Sequence, residues 1–213
     1  MQTHHSTLLL AGHPLQRIDF DPASFQPADL LWLPHHALLA AGGRKRQAEH
    51  LAGRIAAVHA LREVGEKVGE KMPPPPGEQR QPLWPAPWFG SISHCENSAL
   101  AVVSSRPIGI DIERRFTPIL AEELASSIIN PAEKTLLAAS GLPFALALTL
   151  AFSAKESGFK ALSLPRQLGM DFLRMRVTYI EEGMLRMQID DEIVQVHWMQ
   201  SDARVITLCG LPK

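Results

Sequence analysis

Apolar positions follow two different periods along this chain, and the switches between them mark out its elements. From residue 44 they recur at helical spacing. Ala48, Leu51, Ile55, Val58 and Leu61 share a stripe and Gly65 supplies a stop, which predicts a helix over residues 44–65. Over IGIDIE, residues 108–113, the period drops to that of a strand: Ile108, Ile110 and Ile112 take one face while Gly109, Asp111 and Glu113 take the other. Helical spacing returns in FSAKESGFKAL, residues 152–162, a run of good helix formers without proline until Pro165. Phe152, Glu156 and Lys160 fall on one stripe there, at i, i+4 and i+8. The most apolar run, LPFALALTLAF at 142–152, reads as the buried lead-in to that helix.

The remaining segments are plainer. Short strands are predicted at Ser6 to Ala11 and near Asp29 to Leu33, among turn-forming prolines. Residues 66–88, with Pro73 to Pro76 and then Pro82, Pro85 and Pro87, form a polyproline-like loop and no regular element. GSISH at 90–94 precedes a buried strand, Ala99 to Val103. Thr117 to Ile129 and Pro131 to Ala139 read as two helices, each opened by a cap residue followed by proline. From Met175 onward four alternating runs with short turns predict an antiparallel meander. The class is α+β.

Composition narrows the reading further. At 213 residues the chain suits one large domain or two half-size ones, and 46% apolar with 20% charged residues is ordinary for a globular protein. A net charge of −1 argues against binding nucleic acid or membrane through bulk charge. Cys95 and Cys209 are the only cysteines, so a reducing compartment is the simpler one. The N-terminus lacks a basic region and a long apolar run, and no stretch approaches the roughly 20 residues of a membrane span. A cytoplasmic location is expected.

Candidate chemistry lies where the two periods meet. Asp111 and Glu113 share a strand face with Gly109, whose missing side chain would leave room for a bulky ligand. If Glu156 joins that face, the carboxylates repel one another unless a hard cation such as Mg²⁺ sits among them. Each stretch alone has a blander reading, as an edge strand or a solvated helix face. Arg46 and Arg54, two helical turns apart, point the same way and could be a solvated basic face. The pairs His4-His5 and His35-His36 are poor metal sites, since neighbouring strand residues face opposite ways. Ser93 and His94 are adjacent, and adjacent residues rarely place nucleophile and base in contact.

The joint occurrence of these stretches, in this order and about forty residues apart, resembles the surfactin-type phosphopantetheinyl transferases. Their signature is a G-x-D-x-E strand followed by a W/F-x-x-K-E-x-x-x-K helix. RKRQAEHLAGRIAAVHALRE at 44–63, GSISHC at 90–95 and LALTLAFSAKES at 146–157 extend the likeness to the enterobactin-type subgroup. The recognisable text runs from about residue 42 to residue 162, with a thinner echo in VHW and VITLC.

The resemblance implies a pseudo-dimer of two similar α+β halves with the active site in the cleft between them. Residues 1–105 would carry the coenzyme A phosphate-binding helix and loop, and 106–213 the metal-binding strand and helix with the meander. It implies Mg²⁺ held by Asp111, Glu113 and Glu156, with Glu156 also a proton acceptor, Lys160 stabilising the departing phosphate and Lys155 a second cationic candidate. Phe152 keeps an aromatic wall where many members have tryptophan. Arg46 and Arg54 would hold the 3′-phosphate of coenzyme A, with Ser93 and His94 as further phosphate contacts and Arg80 beside the nucleotide. The implied reaction moves 4′-phosphopantetheine from coenzyme A to a serine of an apo carrier protein, for siderophore biosynthesis. The partners would be apo peptidyl, aryl or acyl carrier domains that meet the 117–139 region, with no nucleic acid and no integral membrane span. The protein is expected to be a monomer that associates with a synthetase complex. Rival readings are a fatty-acid holo-carrier synthase, a non-catalytic carrier-binding subunit and a Mg²⁺-dependent pyrophosphate hydrolase.

Overall fold

The computed structural model of the chain describes residues 1–65 and 72–211, so the opening of the proline-rich stretch, 66–71, lies outside the described residues. Backbone packing divides the chain into two compact units, Met1–Ser105 and Arg106–Lys213. Each is α+β, a long helix laid on an antiparallel sheet.

The first unit has β1 (Thr3–Leu10), β2 (His13–Phe20), α1 (Arg44–Glu63), β3 (Phe89–Cys95) and β4 (Ser98–Ser104), with sheet order β1-β2-β4-β3. β1 and β2 make a hairpin through Ala11 and Gly12, both at positive φ. α1 buries Leu51, Ala52, Ala56, Ala57 and Leu61 against Ile18, Phe20, Ala99, Ala101 and Val103. Its small residues let the helix settle close to the sheet. A Cβ at Gly53 would stand 2.9 Å from Ile92 of β3.

Three local expectations change. Asp29 to Leu33 is no strand: residues Pro27–Trp32 form a 3₁₀ helix, because Pro27 opens it and the Asp29 carboxylate accepts from the Gln26 N–H at 2.7 Å. β2 is a strand that its mixed sequence, HPLQRIDF, did not announce. GSISH is itself strand, paired with β4 through Ser91↔Val102 and Ser93↔Leu100.

The second unit contains β5 (Ile108–Arg114), α2 (Pro118–Ile128), α3 (Pro131–Ala138), α4 (Phe144–Ala161), a short α5 (Leu164–Gln167) and the strands β6 (Met175–Glu181), β7 (Met184–Ile189), β8 (Glu192–Ser201) and β9 (Arg204–Gly210). Their order is β5-β9-β8-β7-β6. α2 and α3 begin at caps: Thr117 Oγ1 accepts from Leu120 N–H, and Asn130 and Glu133 exchange side-chain to backbone hydrogen bonds. α4 packs its Leu and Ala side chains on Met175, Val177, Met187, Val196 and Val205. Among the described residues no helix is long and apolar enough to cross a membrane.

β5 is buried on both faces up to Asp111. A Cβ on Gly109 would lie 1.9 Å from the Ser157 carbonyl oxygen of α4. The space beside Gly109 is therefore filled by helix backbone. This corrects the reading in which the glycine left room for a ligand.

Candidate active site

Contact between β5 and α4 builds the acidic part of the site. Once Gly109 has drawn the helix against the strand, Asp111 faces α4 and is 5% exposed. Ser153 donates to Asp111 Oδ2 at 2.8 Å, and Lys160 Nζ reaches Asp111 Oδ1 at 2.7 Å and the Ile110 carbonyl oxygen at 3.3 Å. Ser153 is steadied in turn by Thr207 of β9, whose hydroxyl lies 2.9 Å from Ser153 Oγ and 2.8 Å from the Ser153 carbonyl oxygen.

Glu113 and Glu156 border the same charge. Burial pushes the Glu156 carboxyl up, Lys160 pulls it back and Asp111 pushes it up again. Burial likewise raises Glu113, opposed by the Arg114 N–H that its carboxylate accepts at 2.9 Å and reinforced by Asp111 and Glu156. Phe152, one turn before Glu156, sits between Phe116 and Phe172 with ring centroids 5.7 and 5.3 Å away. Beside Glu156 a pocket of about 360 Å³ is walled by Phe159, Met170, Phe172 and Met175, with Asp171 at its edge.

Lys155 takes no part in this arrangement. It is 0% exposed, pairs with Glu133 Oε1 at 2.8 Å and donates to the carbonyl oxygens of Ile128 and Phe172 at 2.7 and 2.8 Å. Glu133 also accepts from Val177 N–H and Asn130 N–H, so the buried pair ties α3, α4 and β6 together. Neighbouring helix positions point about 100° apart, which sends Lys155 into the core while Glu156 borders the acids.

Asp111, Glu113 and Glu156 are the residues that could hold a metal. All offer carboxylate oxygen, the donor a hard cation takes, and Asp111 raises both glutamates as crowded acids do. Among the described residues no group of three or more His, Cys, Asp or Glu side chains is already gathered as a metal cage. Asp111 is paired with Lys160.

The first unit carries a basic site of its own. Arg46 and His50 of α1 line a pocket of about 430 Å³ with Gln47, Leu38, Leu39 and Arg80. Arg80 sits at positive φ in the turn that joins Gly77 to Gln81. One turn beyond His50, Arg54 is only 5% exposed, and burial lowers its guanidinium to about 10. Its Nε is buried without a hydrogen-bond partner among the described residues. His94 of β3 stands 3.9 Å from Glu49, and Ser93 is buried beside it on the strand.

His35 and His50 were not singled out together from the sequence. They approach Nε2 to Nε2 at 2.9 Å with rings nearly perpendicular. Burial first, then Arg54, His35, His94 and Arg46, lowers His50 to about 3. The spacing 46, 50, 54 on one helix was a readable signal for His50. Nothing local paired His35 with His50, and likewise nothing marked Ser153 or Thr207 as partners of Asp111.

Comparison with known proteins adds the following. The N-terminal domain model of 4′-phosphopantetheinyl transferases matches residues 34–104, and the 4′-phosphopantetheinyl transferase superfamily model matches residues 107–209. Enterobactin synthase component D of Escherichia coli K12 is 53% identical over 209 residues, covering 98% of both chains. The protein of that name from Salmonella typhimurium is 52% identical over 215 residues, covering 98% of this chain and 90% of its own. The 4′-phosphopantetheinyl transferase Npt of Nocardia iowensis is 33% identical over 178 residues, 76% of each chain. A solved holo-(acyl-carrier-protein) synthase from Bacillus anthracis covers 49% of this chain and 94% of its own at 23% identity and a TM-score of 0.41, a likeness too slight to build on.

Proposed function

This chain belongs to the 4′-phosphopantetheinyl transferase superfamily, and from that premise we propose that it moves 4′-phosphopantetheine from coenzyme A to a serine hydroxyl of an apo carrier protein, in the cytoplasm and for siderophore biosynthesis of the enterobactin type. The observation that carries the reading is α4 laid on β5, with Lys160 on Asp111 and Glu156 beside them.

The reaction joins the serine oxygen to the phosphorus that bears pantetheine. It breaks the pyrophosphate bond and releases adenosine 3′,5′-bisphosphate. Glu156, its carboxyl raised by burial, is the group to take the serine proton. Lys160 offsets negative charge on the departing phosphate, which requires its ammonium to leave Asp111 Oδ1. Ser153 keeps Asp111 in place while that happens. Mg²⁺, when bound by Asp111, Glu113 and Glu156, would supply charge neutralisation on pyrophosphate oxygens. The apolar pocket beside Glu156 suits the pantetheine arm. Arg46, Arg54, Ser93 and His94 hold the 3′-phosphate, and Arg80 flanks the nucleotide in the pocket it shares with Arg46. Lys155 positions α4 through Glu133 and does not meet substrate. α2 and α3 offer the surface for apo peptidyl, aryl or acyl carrier domains.

The test is to incubate the protein with coenzyme A, Mg²⁺ and a panel of apo carriers and to weigh the carriers. A mass gain of one phosphopantetheine is expected on siderophore-synthetase carriers. Gain only on a fatty-acid carrier would move the substrate class. Bisphosphate release without carrier modification would mean a hydrolase, and binding without turnover a non-catalytic subunit.

A further inference from the structure

The basic site of the first unit contains more than arginines. His35 and His50 meet Nε2 to Nε2 at 2.9 Å, so a proton on one ring bonds to the lone pair of the other. Among the described residues the outer Nδ1 of His35 is buried without a hydrogen-bond partner, as is Nε of Arg54. His50 lines the same pocket as Arg46 and Arg80. Arg46, Arg54, His50 and Glu49 come from α1, His36 from another short 3₁₀ helix, His36–Leu39, with His35 as its N-cap, His94 from β3 and Arg80 from the 77–81 turn. Glu49 is the acid among them, and it lies near Lys45 at 3.8 Å and His94 at 3.9 Å. Among the described residues the cluster is short of negative charge, and two buried donor or acceptor atoms in it are without a partner.

We propose that the His35–His50 pair is a proton-accepting part of the phosphate cradle, taking up one proton from solvent when the 3′-phosphate of the substrate enters beside Arg46 and Arg54. This rests on the reading of those arginines as the 3′-phosphate site. In the free protein a proton on either ring would sit next to Arg54, so the pair stays neutral. A bound phosphate dianion reverses the local charge. The added proton makes one ring an imidazolium that still donates through Nε2 to its partner, and puts an N–H on both outer Nδ1 atoms. The pair then contributes a delocalised cation where before it contributed two neutral rings.

The consequence is a proton count whose sign is diagnostic. At about pH 7.5 a phosphate with its second ionisation near about 6 is mostly dianionic, and binding to arginines alone would strip its residual proton, giving slight release. Uptake requires a protein base. The probes are adenosine 3′,5′-bisphosphate and adenosine 5′-monophosphate, titrated calorimetrically in two buffers of different ionisation heat. Wild type should bind the bisphosphate more tightly, with net proton uptake, and the monophosphate with none. His50→Gln and His35→Gln, which keep a hydrogen-bonding amide, should each abolish uptake and weaken bisphosphate binding about tenfold, the loss of one charge-assisted hydrogen bond. His94→Gln should itself weaken bisphosphate binding, because His94 is placed on the same phosphate, but the complex that forms should still take up the proton.

Wild type that binds the bisphosphate without uptake overturns the proposal, whatever the variants do. Uptake lost in His94→Gln and retained in the other two variants also overturns it. If Arg54→Ala loses the preference for bisphosphate while wild type shows no uptake, the phosphate site stands and the histidine role falls. If wild type does not prefer the bisphosphate, both fall together.

Discussion

Replacing Lys155 by methionine separates an architectural role for this lysine from a chemical one. The ammonium is 0% exposed, 2.8 Å from Glu133 Oε1 and bonded to two backbone carbonyls, so every donor direction points into the core. Methionine fills much of the volume but leaves Glu133 charged and buried. Breaking one side of such a pair costs about 3–5 kcal/mol. Against a total stability of roughly 5–15 kcal/mol this is a large fraction, and in a chain of this size it lowers the melting temperature by about 6–20 °C. Calorimetry or circular dichroism reads that shift. Transfer assayed at low temperature, per folded molecule, should stay within a few-fold of wild type. Glu133→Gln in the same background removes the orphaned charge and keeps an acceptor for one of the two N–H groups of Val177 and Asn130, which bond to different oxygens of Glu133, so the double variant should regain part of the lost stability. An unchanged melting temperature with collapsed kcat would refute the reasoning and return Lys155 to the reacting groups.

Other outcomes follow from the same geometry. Gly109→Ala places a Cβ 1.9 Å from the Ser157 carbonyl oxygen, so it should abolish soluble folded protein or at least the native melting transition; a normally stable variant would mean β5 and α4 are not in backbone contact. Lys160→Ala should lower kcat with coenzyme A affinity little changed, and a pure KM effect would count against its role on the departing phosphate. In the metal-free protein burial raises the Glu156 carboxyl, and because the protonated acid cannot accept the serine proton, kcat should fall on the acid side of its pH profile. The same shift means stability declines as pH rises from the ordinary carboxylate value to the raised one; Glu156→Gln should remove this stretch of the pH–stability curve, and an unaltered curve would contradict it. Arg54→Ala should weaken coenzyme A on the order of 10- to 100-fold and leave dephospho-coenzyme A unaffected; equal loss for both ligands would place Arg54 in the scaffold.

Much of this protein is legible from local pattern. The helical stripe Phe152, Glu156, Lys160 and the two-residue period of IGIDIE depend on nothing but backbone geometry, and α4 and β5 are where those periods place them. Caps at Thr117 and Asn130 act within one turn and mark the starts of α2 and α3. The joined motifs also identify the superfamily, since the order and spacing of acids and lysines survive in one dimension.

What the tertiary structure alone decided involves partners far apart in the chain. Gly109 admits a helix backbone some fifty residues later, a demand that only the packed pair reveals. Lys155 and Glu156 are adjacent letters, yet one is neutralised by Glu133 in the core and the other borders Asp111, because helical rotation and the positions of α3 and β5 choose their surroundings. Arg54 reads as one more basic residue on a helix until the fold buries it and leaves its Nε without a hydrogen-bond partner among the described residues. His35 and His50 become a pair only when the segment after Leu33 folds back on α1. Period and propensity act over a turn or two of chain, whereas burial and charge pairing are set by whatever the fold brings alongside, and these shape the chemistry of the acids, lysines and histidines.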